Sequence, residues 1–427
     1  MSRHDIVLLG ATVVNPDAVF VANIGISNGV ISAVGGDMSG DVEIDVTGLN
    51  VSSGFVDLHT HLREPGKEEA ETIESGSRAA ALGGYTAVVA MPNTDPAQDN
   101  VATVEFVKAQ GVRAGLCDVY PSGCITVGRL GEEIAPFGEL SRAGVVICTD
   151  DGNGVQDGAL MYRALVQARQ ANVVLAQHCE KSDLTAGAVM HEGECCSHLG
   201  VPGWPAAAEI EMLQRDLELV KETGAQMHFL HLSTAESVDL VRQAKADGLP
   251  ITAEVTPHHL SLEDTLLTGF DPVFKVNPPL RTRTDIEALQ RGLAEGVIDA
   301  VATDHAPHAG HTKEQPLDTA PPGMLGLETA LAVLNTAVNL DVQKIADVMS
   351  WAPARIARIN HLHGRPVAVG EPANVAVWDT TSGWTVSRES LASKSKNTPY
   401  HGMNVRGRVH HTILNGEIVV QNGKALK

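Results

Sequence analysis

The stretch GFVDLHTHLREPG, residues 54–66, is a short apolar run that ends in two histidines, His59 and His61, ahead of a Pro-Gly turn. A β-strand points residues two positions apart to the same face, so both imidazoles can enter one site together. The spacing is typical of a pair of metal ligands, although two strand histidines can also be packed or exposed. The stretch therefore predicts a strand whose carboxyl end carries chemistry.

Seven further short strands follow before about residue 364, and helical stretches separate them. With the first, the eight predicted strands are GFVDLHT, YTAVVAM, LCDVYPS, GVVICTD, NVVLAQHC, MHFLHLS, ITAEVTP and IDAVATD. Alternating strands and helices indicate parallel strands, and eight such units can close into a (β/α)8 TIM barrel with the active site at the strand carboxyl ends. The sequence therefore predicts an α/β fold of this kind, with residues 54–364 as the barrel.

The two ends of the chain have a different pattern. Residues 1–53 and 365–427 contain short strands and turns, such as DIVLLGATVV near the start and VRGRVHHTILNGEIVVQNG near the end, without a helical period. The length of 427 residues also leaves room for a second unit beside one barrel. We expect both ends to combine into a small β-sandwich accessory domain.

Potential metal ligands or substrate contacts end six of the eight predicted strands. They are His59 and His61, Asn93, Asp150 and Asp151, His178, His231, and Asp304 with His305. One polar residue at a strand end is unremarkable, but six of eight strands are hard to attribute to chance. Histidine and carboxylate donors in this number suit zinc or another divalent transition ion.

Three other histidines are weaker candidates for ligation. His228 shares the strand MHFLHLS with His231, and their odd separation places them on opposite faces, so His231 is preferred because it lies nearer the carboxyl end. For His258 and His259 of TPHHL we favour a positioning or core role over ligation.

Composition excludes several classes of function. The chain has 31 Lys plus Arg against 52 Asp plus Glu, a formal net charge of -21, which argues against non-specific binding to nucleic acid or an anionic membrane. No apolar leader or membrane-spanning run occurs, so a cytoplasmic location is expected. Neither GxxxxGKS/T nor a strand-linked GxGxxG occurs, so no nucleotide cofactor is predicted. The 6 cysteines form no CxxC pair and are expected to be reduced.

Eight motifs in chain order resemble those of the dihydroorotases of the amidohydrolase superfamily, particularly the longer bacterial type. They are DLHTHLREPG, AMPNT, TDDG, QHCE, HLST, VNPPLR, TDHAPH and PPGMLGLET. The resemblance covers most of residues 50–365, and the split terminal unit resembles the accessory domain of that family. It implies reversible hydrolysis of the ring amide of (S)-dihydroorotate to N-carbamoyl-L-aspartate, a step of pyrimidine biosynthesis.

The resemblance also implies a pair of zinc ions held by six residues. They are His59, His61, Asp151, His178, His231 and Asp304. Asp151, the second Asp of TDDG, would bridge the two ions, with Asp150 as a neighbour. Two such ions acidify water near neutral pH and polarise an amide carbonyl. Asp304 would be the catalytic group that accepts a proton from the nucleophile and returns it to the leaving ring nitrogen.

The same resemblance assigns five contacts to the small-molecule substrate. Arg63, Asn93 and His308 would bind its carboxylate, which answers the need for a local positive site in an acidic protein. Asn277 of VNPP and the backbone near Gly323 of PPGMLG would contact the ring.

Two alternatives stay open. A hydantoinase or allantoinase would share most of the ligands, but those relatives resemble one another in bridging their metals with a carboxylated lysine, and no lysine lies between Lys108 and Lys181. A non-catalytic homologue that serves as a scaffold for aspartate transcarbamoylase would be expected to have lost ligands, whereas all six are present. An active enzyme could also bind that partner, and a homodimer is expected.

Overall fold

The computed structural model describes residues 3–427, which form nineteen strands. The strands are β1 Arg3–Val14, β2 Val19–Ser27, β3 Val30–Val34, β4 Ser39–Asp45, β5 Asn50–Ser53, β6 Phe55–Thr60, β7 Tyr85–Ala90, β8 Asp118–Pro121, β9 Ile147–Thr149, β10 Val174–Gln177, β11 Met190–His191, β12 Gly203–Trp204, β13 Met227–Phe229, β14 Ile251–Val255, β15 Ala300–Val301, β16 Val375–Thr385, β17 Asn404–Leu414, β18 Glu417–Gln421 and β19 Lys424–Ala425.

Thirteen α-helices occur in the same residues. They are α1 Ile73–Leu82, α2 Val101–Ala114, α3 Phe137–Arg142, α4 Gly158–Ala171, α5 Ser182–Thr185, α6 Glu194–Leu199, α7 Ala207–Thr223, α8 Ala235–Ala246, α9 Arg283–Ala294, α10 Gly310–Lys313, α11 Ala330–Ala337, α12 Val342–Ala346 and α13 Ala352–Ile356. Short 3-10 turns cover Val127–Arg129, Asp264–Gly269, Pro272–Phe274 and Arg388–Ser390, and a π-helical turn covers Asp347–Trp351.

Eight parallel strands form the barrel, and each coincides with a strand predicted from the sequence. β6, β7 and β8 pair in that order, as do β9, β10, β13, β14 and β15. Isolated parallel bridges connect the two groups, from Gly123 to Cys148 at one seam and from Thr60 to His305 at the other. The strands therefore follow one another around a ring, and the predicted (β/α)8 fold is confirmed.

The sequence of the barrel elements explains their form. β6 and β7 are buried along their whole length, as expected for parallel strands that are covered on both faces. The surrounding helices begin at side chains that accept hydrogen bonds from the first turn, such as Thr72 before α1 and Asp157 before α4. The strand and helix ends determine where the connecting loops begin. The loops that follow the carboxyl ends of the strands form the mouth of the barrel.

The two chain ends meet in a second sheet of nine strands. Its order is β19-β18-β17-β16-β5-β1-β2-β3, with β4 also on β1, and β16 joins the two ends by antiparallel pairing with β5. β1 pairs with β4 along its first half and with β5 near its end, on either side of a bulge between Leu8 and Ala11 where Gly10 has a φ of 71°. The predicted unit from both termini is present as one hydrogen-bonded network around its own buried cluster. Domain boundaries at 53/54 and 364/365 stay a prediction.

The cysteines agree with the expectation of a reduced protein. All six are unpaired, and five of them are buried. Among residues 3–427, no helix has the length and apolar character needed to cross a membrane.

Candidate metal centre and substrate cleft

Five barrel strands bring six buried donor side chains to one point in the barrel mouth. The donors are His59 and His61 at the end of β6, Asp151 after β9, His178 after β10, His231 after β13 and Asp304 after β15. All six predicted ligands therefore lie together, because the strands are parallel and their carboxyl ends share one face.

Asp151 lies between two groups of imidazoles. Its Oδ2 is 3.4 Å from Nε2 of His61, and its Oδ1 is 3.4 Å from Nε2 of His59. The same Oδ1 is 3.4 Å from Nδ1 of His178 and 3.6 Å from Nε2 of His231. Two separate groups of three donors consequently share Asp151.

Asp304 closes the centre on the side of the β6 histidines. Its Oδ1 lies 3.0 Å from Nε2 of His61 and 3.5 Å from Nε2 of His59. Burial alone would raise the pKa of Asp304, but His59 and His61 outweigh it and hold that pKa well below its usual range. Asp304 and His231 also have left-handed φ values of 45° and 29°, a strain that often accompanies functional sites.

The surroundings of His59 fit a metal ligand better than a hydrogen-bonded imidazole. Nε2 of His59 is buried and has no hydrogen-bond partner within residues 3–427, although two carboxylates lie 3.4 and 3.5 Å away. Ligand atoms about 2.1 Å from a tetrahedral ion are roughly 3.4 Å from one another. The site therefore binds metal with imidazole and carboxylate donors.

Glu254 on β14 fixes the orientation of His59 from behind. Its Oε1 is 2.9 Å from Nδ1 of His59 and its Oε2 is 2.9 Å from Nε2 of His228. Burial would raise the pKa of Glu254, but hydrogen bonds from His228 and His59 lower it to about 2. The ionised carboxylate thus accepts the Nδ1 proton of His59 and leaves Nε2 free to bind a metal. The sequence signal that could have found it is a glutamate inside the apolar strand ITAEVTP.

The two acids of TDDG have different environments. Oδ1 of Asp150 accepts hydrogen bonds from the backbone N–H groups of Ile125 at 2.8 Å and Thr126 at 3.0 Å, and Thr126 Oγ1 also donates to this carboxylate. Asp150 therefore anchors the loop after β8, while Asp151 faces the donors. This geometry agrees with the predicted division between a bridge and its neighbour.

A cleft of about 280 Å³ lies next to the donors, a size suited to a small molecule. All five predicted substrate contacts line it: Arg63, Asn93, Asn277, His308 and Gly323. Nε of Arg63 donates to the carbonyl oxygen of Pro307 at 3.0 Å, and its Nη2 lies 3.4 Å from Nε2 of His308, so the guanidinium is held at the cleft. Asn93 also accepts from Nδ1 of His61 at 2.9 Å, and its amide thereby connects the cleft to the metal centre. Their roles towards a substrate stay a prediction.

The two histidines of TPHHL belong to neither group of three donors. Both are buried, and Nε2 of His259 is 3.0 Å from the carbonyl oxygen of Pro278 while its Nδ1 is 2.8 Å from Oγ1 of Thr256. His259 therefore holds the backbone in place, in line with the core role favoured from the sequence.

A segment from the C-terminal part of the chain, residues 391–400, supports the cleft from outside the barrel, and we call it the strap. Asn397 in the strap accepts from the backbone N–H of His308 at 3.1 Å and donates to the carbonyl oxygens of Ala306 at 3.0 Å and Gly323 at 3.1 Å. The buried Glu71 accepts from the backbone N–H of Lys394 at 3.0 Å. The strap thus ties together two loops that carry predicted substrate contacts.

Sequence reasoning missed the strap and two further cations of the cleft, Lys67 and Arg129. Arg129 belongs to no motif on which the resemblance rests, and nothing in the local pattern around Asn397 indicates that it reaches loops some 75 to 90 residues earlier in the chain.

The barrel and its donor set define the class: a metal-binding hydrolase of the amidohydrolase type. The L-hydantoinase of Arthrobacter aurescens has this fold with a TM-score of 0.88 and 25% sequence identity, over 99% of this chain and 98% of that one. A D-hydantoinase from a Thermus species has it with a TM-score of 0.83 and 24% identity, over 99% and 96%.

Sequence comparison identifies the family more narrowly than the fold does. A family model described as dihydro-orotase-like matches residues 49–237. The chain is 48% identical to a dihydroorotase of Streptomyces coelicolor over 403 residues, 92% of this chain and 94% of that protein. It is 49% identical to a dihydroorotase of Mycobacterium leprae over 388 residues, 90% of each. The chain belongs to the dihydroorotase family, and the resemblance inferred from its motifs is confirmed.

Proposed function

We propose that the protein is a dihydroorotase, which hydrolyses the ring amide of dihydroorotate to N-carbamoyl-aspartate and catalyses the reverse closure. The observation that carries this proposal is Asp151, a carboxylate of the chain that lies between two groups of imidazoles where a hydantoinase would use a carboxylated lysine. The high identity to dihydroorotases over most of the chain supports the same substrate.

The cofactor in this proposal is a pair of zinc ions. One would be held by His59, His61, Asp151 and Asp304, and the other by Asp151, His178 and His231. Four imidazoles with two carboxylates are donors that zinc accepts in catalytic sites. When bound, the ions make water acidic enough to act as a nucleophile near neutral pH and polarise the ring carbonyl.

Asp304 moves the proton in this mechanism. Its carboxylate is ionised, because His59 and His61 hold the pKa of Asp304 down despite burial, and it lines the cleft. It accepts a proton from the attacking water and delivers it to the ring nitrogen as the carbon–nitrogen bond breaks. In ring closure the same carboxylate accepts the proton of the carbamoyl nitrogen.

The opposite wall binds the carboxylate that both forms of the substrate share. Burial lowers the pKa of Arg63 to about 10, so the guanidinium is still charged at neutral pH. Burial, and then Arg63, lower the pKa of His308 to about 2, so this imidazole is neutral. At Gly323 a Cβ would lie 2.7 Å from Nε2 of His308, so a side chain there would displace His308 from the cleft. This wall of the cleft is therefore shaped around one anionic group.

The decisive experiment offers dihydroorotate, hydantoin and allantoin in parallel to the metal-loaded protein. We expect turnover of dihydroorotate and little or none of the other two rings. Turnover of hydantoin without dihydroorotate would overturn the proposal, and the absence of any turnover with metal verified would favour a non-catalytic scaffold.

The remaining parts of the proposal rest on the family resemblance or on the sequence pattern. They are a homodimer, a cytoplasmic location, an association with aspartate transcarbamoylase, and separate domains at residues 1–53 with 365–427 and at 54–364. Sedimentation of the protein alone and with that partner measures the first and third.

A further inference from the structure

Arg129 lines the cleft beside Asp151 and is not one of the assigned substrate contacts. A terminal nitrogen of its guanidinium donates to the carbonyl oxygen of Asp151. Its Nε is buried and has no hydrogen-bond partner in residues 3–427. A buried N–H without an acceptor is costly, so this group is suited to an acceptor that comes from outside the chain.

The loop that carries Arg129 is fixed in place. Asp150 accepts from the backbone N–H of Thr126 at 3.0 Å, and Asp99 accepts from that of Gly128 at 2.8 Å. Arg129 itself has a φ of 59°, in the left-handed region that side chains other than glycine rarely adopt. Such strain persists only where surrounding contacts impose it, and here it directs the guanidinium at the cleft.

Arg129 shares its electrostatic field with two other cations of the cleft. Desolvation, and then the neighbouring Arg63 and Arg129, lower the pKa of Lys67. These three charges concentrate in one cleft of a protein whose formal net charge is -21. Three cations in one cleft attract anionic ligands, and they can accommodate a ligand with more than one negative charge.

We propose that Arg129 binds the second carboxylate of the open-chain substrate, with Lys67 as a weaker aid to its attraction. This inference rests on the proposed function. Hydrolysis adds water across the ring amide, breaks the carbon–nitrogen bond and leaves a carboxylate where the ring carbonyl was, so the open form carries two carboxylates and the cyclic form one. Arg63 is assigned to the shared carboxylate, and Arg129 lies beside Asp151, where the new one forms. Guanidinium groups suit this task because they form paired, charged hydrogen bonds.

If Arg129 has this role, its substitution should change the KM for N-carbamoyl-aspartate by a larger factor than the KM for dihydroorotate. The equilibrium between the substrates is independent of the enzyme, so kcat/KM must change by the same factor in both directions in any variant. Loss of a charged hydrogen bond in Arg129→Gln should raise the KM for N-carbamoyl-aspartate about tenfold or more. The KM for dihydroorotate should change by less than about threefold, because its single carboxylate binds elsewhere.

Two variants serve as controls. Arg129→Lys keeps the charge and should restore part of the affinity for N-carbamoyl-aspartate, and Arg142→Gln removes an exposed cation of α3 outside the cleft and should change neither KM. Metal content is measured in every variant, because Arg129 also contacts the backbone of Asp151.

The outcomes separate this inference from the proposed function. Equal changes in both KM values, no change in either, or a loss explained by reduced metal content would overturn the role of Arg129. Failure of the unmodified protein to turn over dihydroorotate would overturn the proposed function instead.

Discussion

The two walls of the cleft are built by different parts of the chain. The metal wall consists of side chains at the ends of barrel strands, and Glu254 on a neighbouring strand holds one of them. The substrate wall consists of loops, and their positions depend on the strap, residues 391–400. The barrel geometry alone brings the metal donors together, whereas the substrate contacts need a segment that connects two strands of the other sheet, β16 and β17.

This difference predicts different consequences for substitutions. Changes in the metal wall should reduce the chemical rate or the metal content, because each donor acts directly on the reaction. Changes in the strap should weaken substrate binding while the metal stays, because the strap acts only through the loops it holds.

The largest effect should come from Asp304→Asn in the metal wall. The variant loses the proton acceptor, so we expect kcat to fall by about 10²–10⁴-fold in both directions. Steady-state kinetics with metal content verified measures it, and Asp247→Asn, a surface carboxylate at the end of α8, is the control. Near-normal turnover would remove Asp304 from the mechanism.

Asp151 and Asp150 offer a comparison within one motif. Asp151→Asn should bind less metal because an uncharged amide is a poorer ligand between two cations. Asp150→Asn should keep its metal and lose activity more mildly, since its carboxylate anchors the backbone at Ile125 and Thr126. Metal analysis of both variants tests this difference.

The proposed role of Asp151 as the bridging carboxylate can also be tested in the unmodified protein. Because Asp151 is part of the chain, metal-free protein should regain activity from metal alone in bicarbonate-depleted buffer. A requirement for bicarbonate, or greater sensitivity of position 150 than of 151, would contradict the assigned bridge.

A smaller and different effect is expected from Asn397→Ala in the strap. The change removes three hydrogen bonds that position His308, Ala306 and Gly323. We expect the KM for dihydroorotate to rise about tenfold with little change in kcat or metal content. Lys396→Ala, which alters an exposed strap residue whose Nζ donates to carbonyl oxygens within the strap, should leave KM unchanged. A fall in kcat or metal content with a normal KM would show that the two walls are not separable.

The smallest effect concerns pH. Burial raises the pKa of Glu328, which accepts from the strap backbone at Ala392, to about 7, whereas Glu254 in the metal wall has a pKa of about 2. Between about pH 4.5 and about pH 7 the folded protein keeps a proton on Glu328 that the unfolded chain has lost, so the free energy of unfolding falls as pH rises through this window.

Glu328→Gln should remove that part of the slope. Denaturant titrations at pH 5 and pH 8 measure it, with Glu105→Gln on the exposed face of α2 as the control. Identical slopes for Glu328→Gln and the unmodified protein would exclude Glu328 as the titrating group.

The same division explains what could be predicted from sequence. His59 and His61 were assignable because a strand repeats every two residues, and the later donors because parallel strands end on one face. Asp151 was preferred over Asp150 through the family resemblance, and the geometry agrees with it.

Other groups could not be found in this way. The carboxylate of Glu254 is conspicuous only once its strand is known to lie behind His59. Arg129 depends on a left-handed turn, and Asn397 on contacts with loops far away in the chain, neither of which leaves a local pattern. Prediction from sequence therefore succeeds for residues whose positions follow from the regular geometry of strands and barrel. It fails for residues whose positions depend on contacts between distant parts of the chain.

The strap also sets an order of events during synthesis. A chain growing from its amino end contains every metal donor once residue 304 has been added, but Asn397 follows more than ninety residues later. A chain that stops between these points carries the full set of metal ligands without the segment that shapes its substrate loops. Nonsense mutations late in the gene therefore leave every metal ligand encoded but remove the strap together with strands β17, β18 and β19 of the terminal sheet.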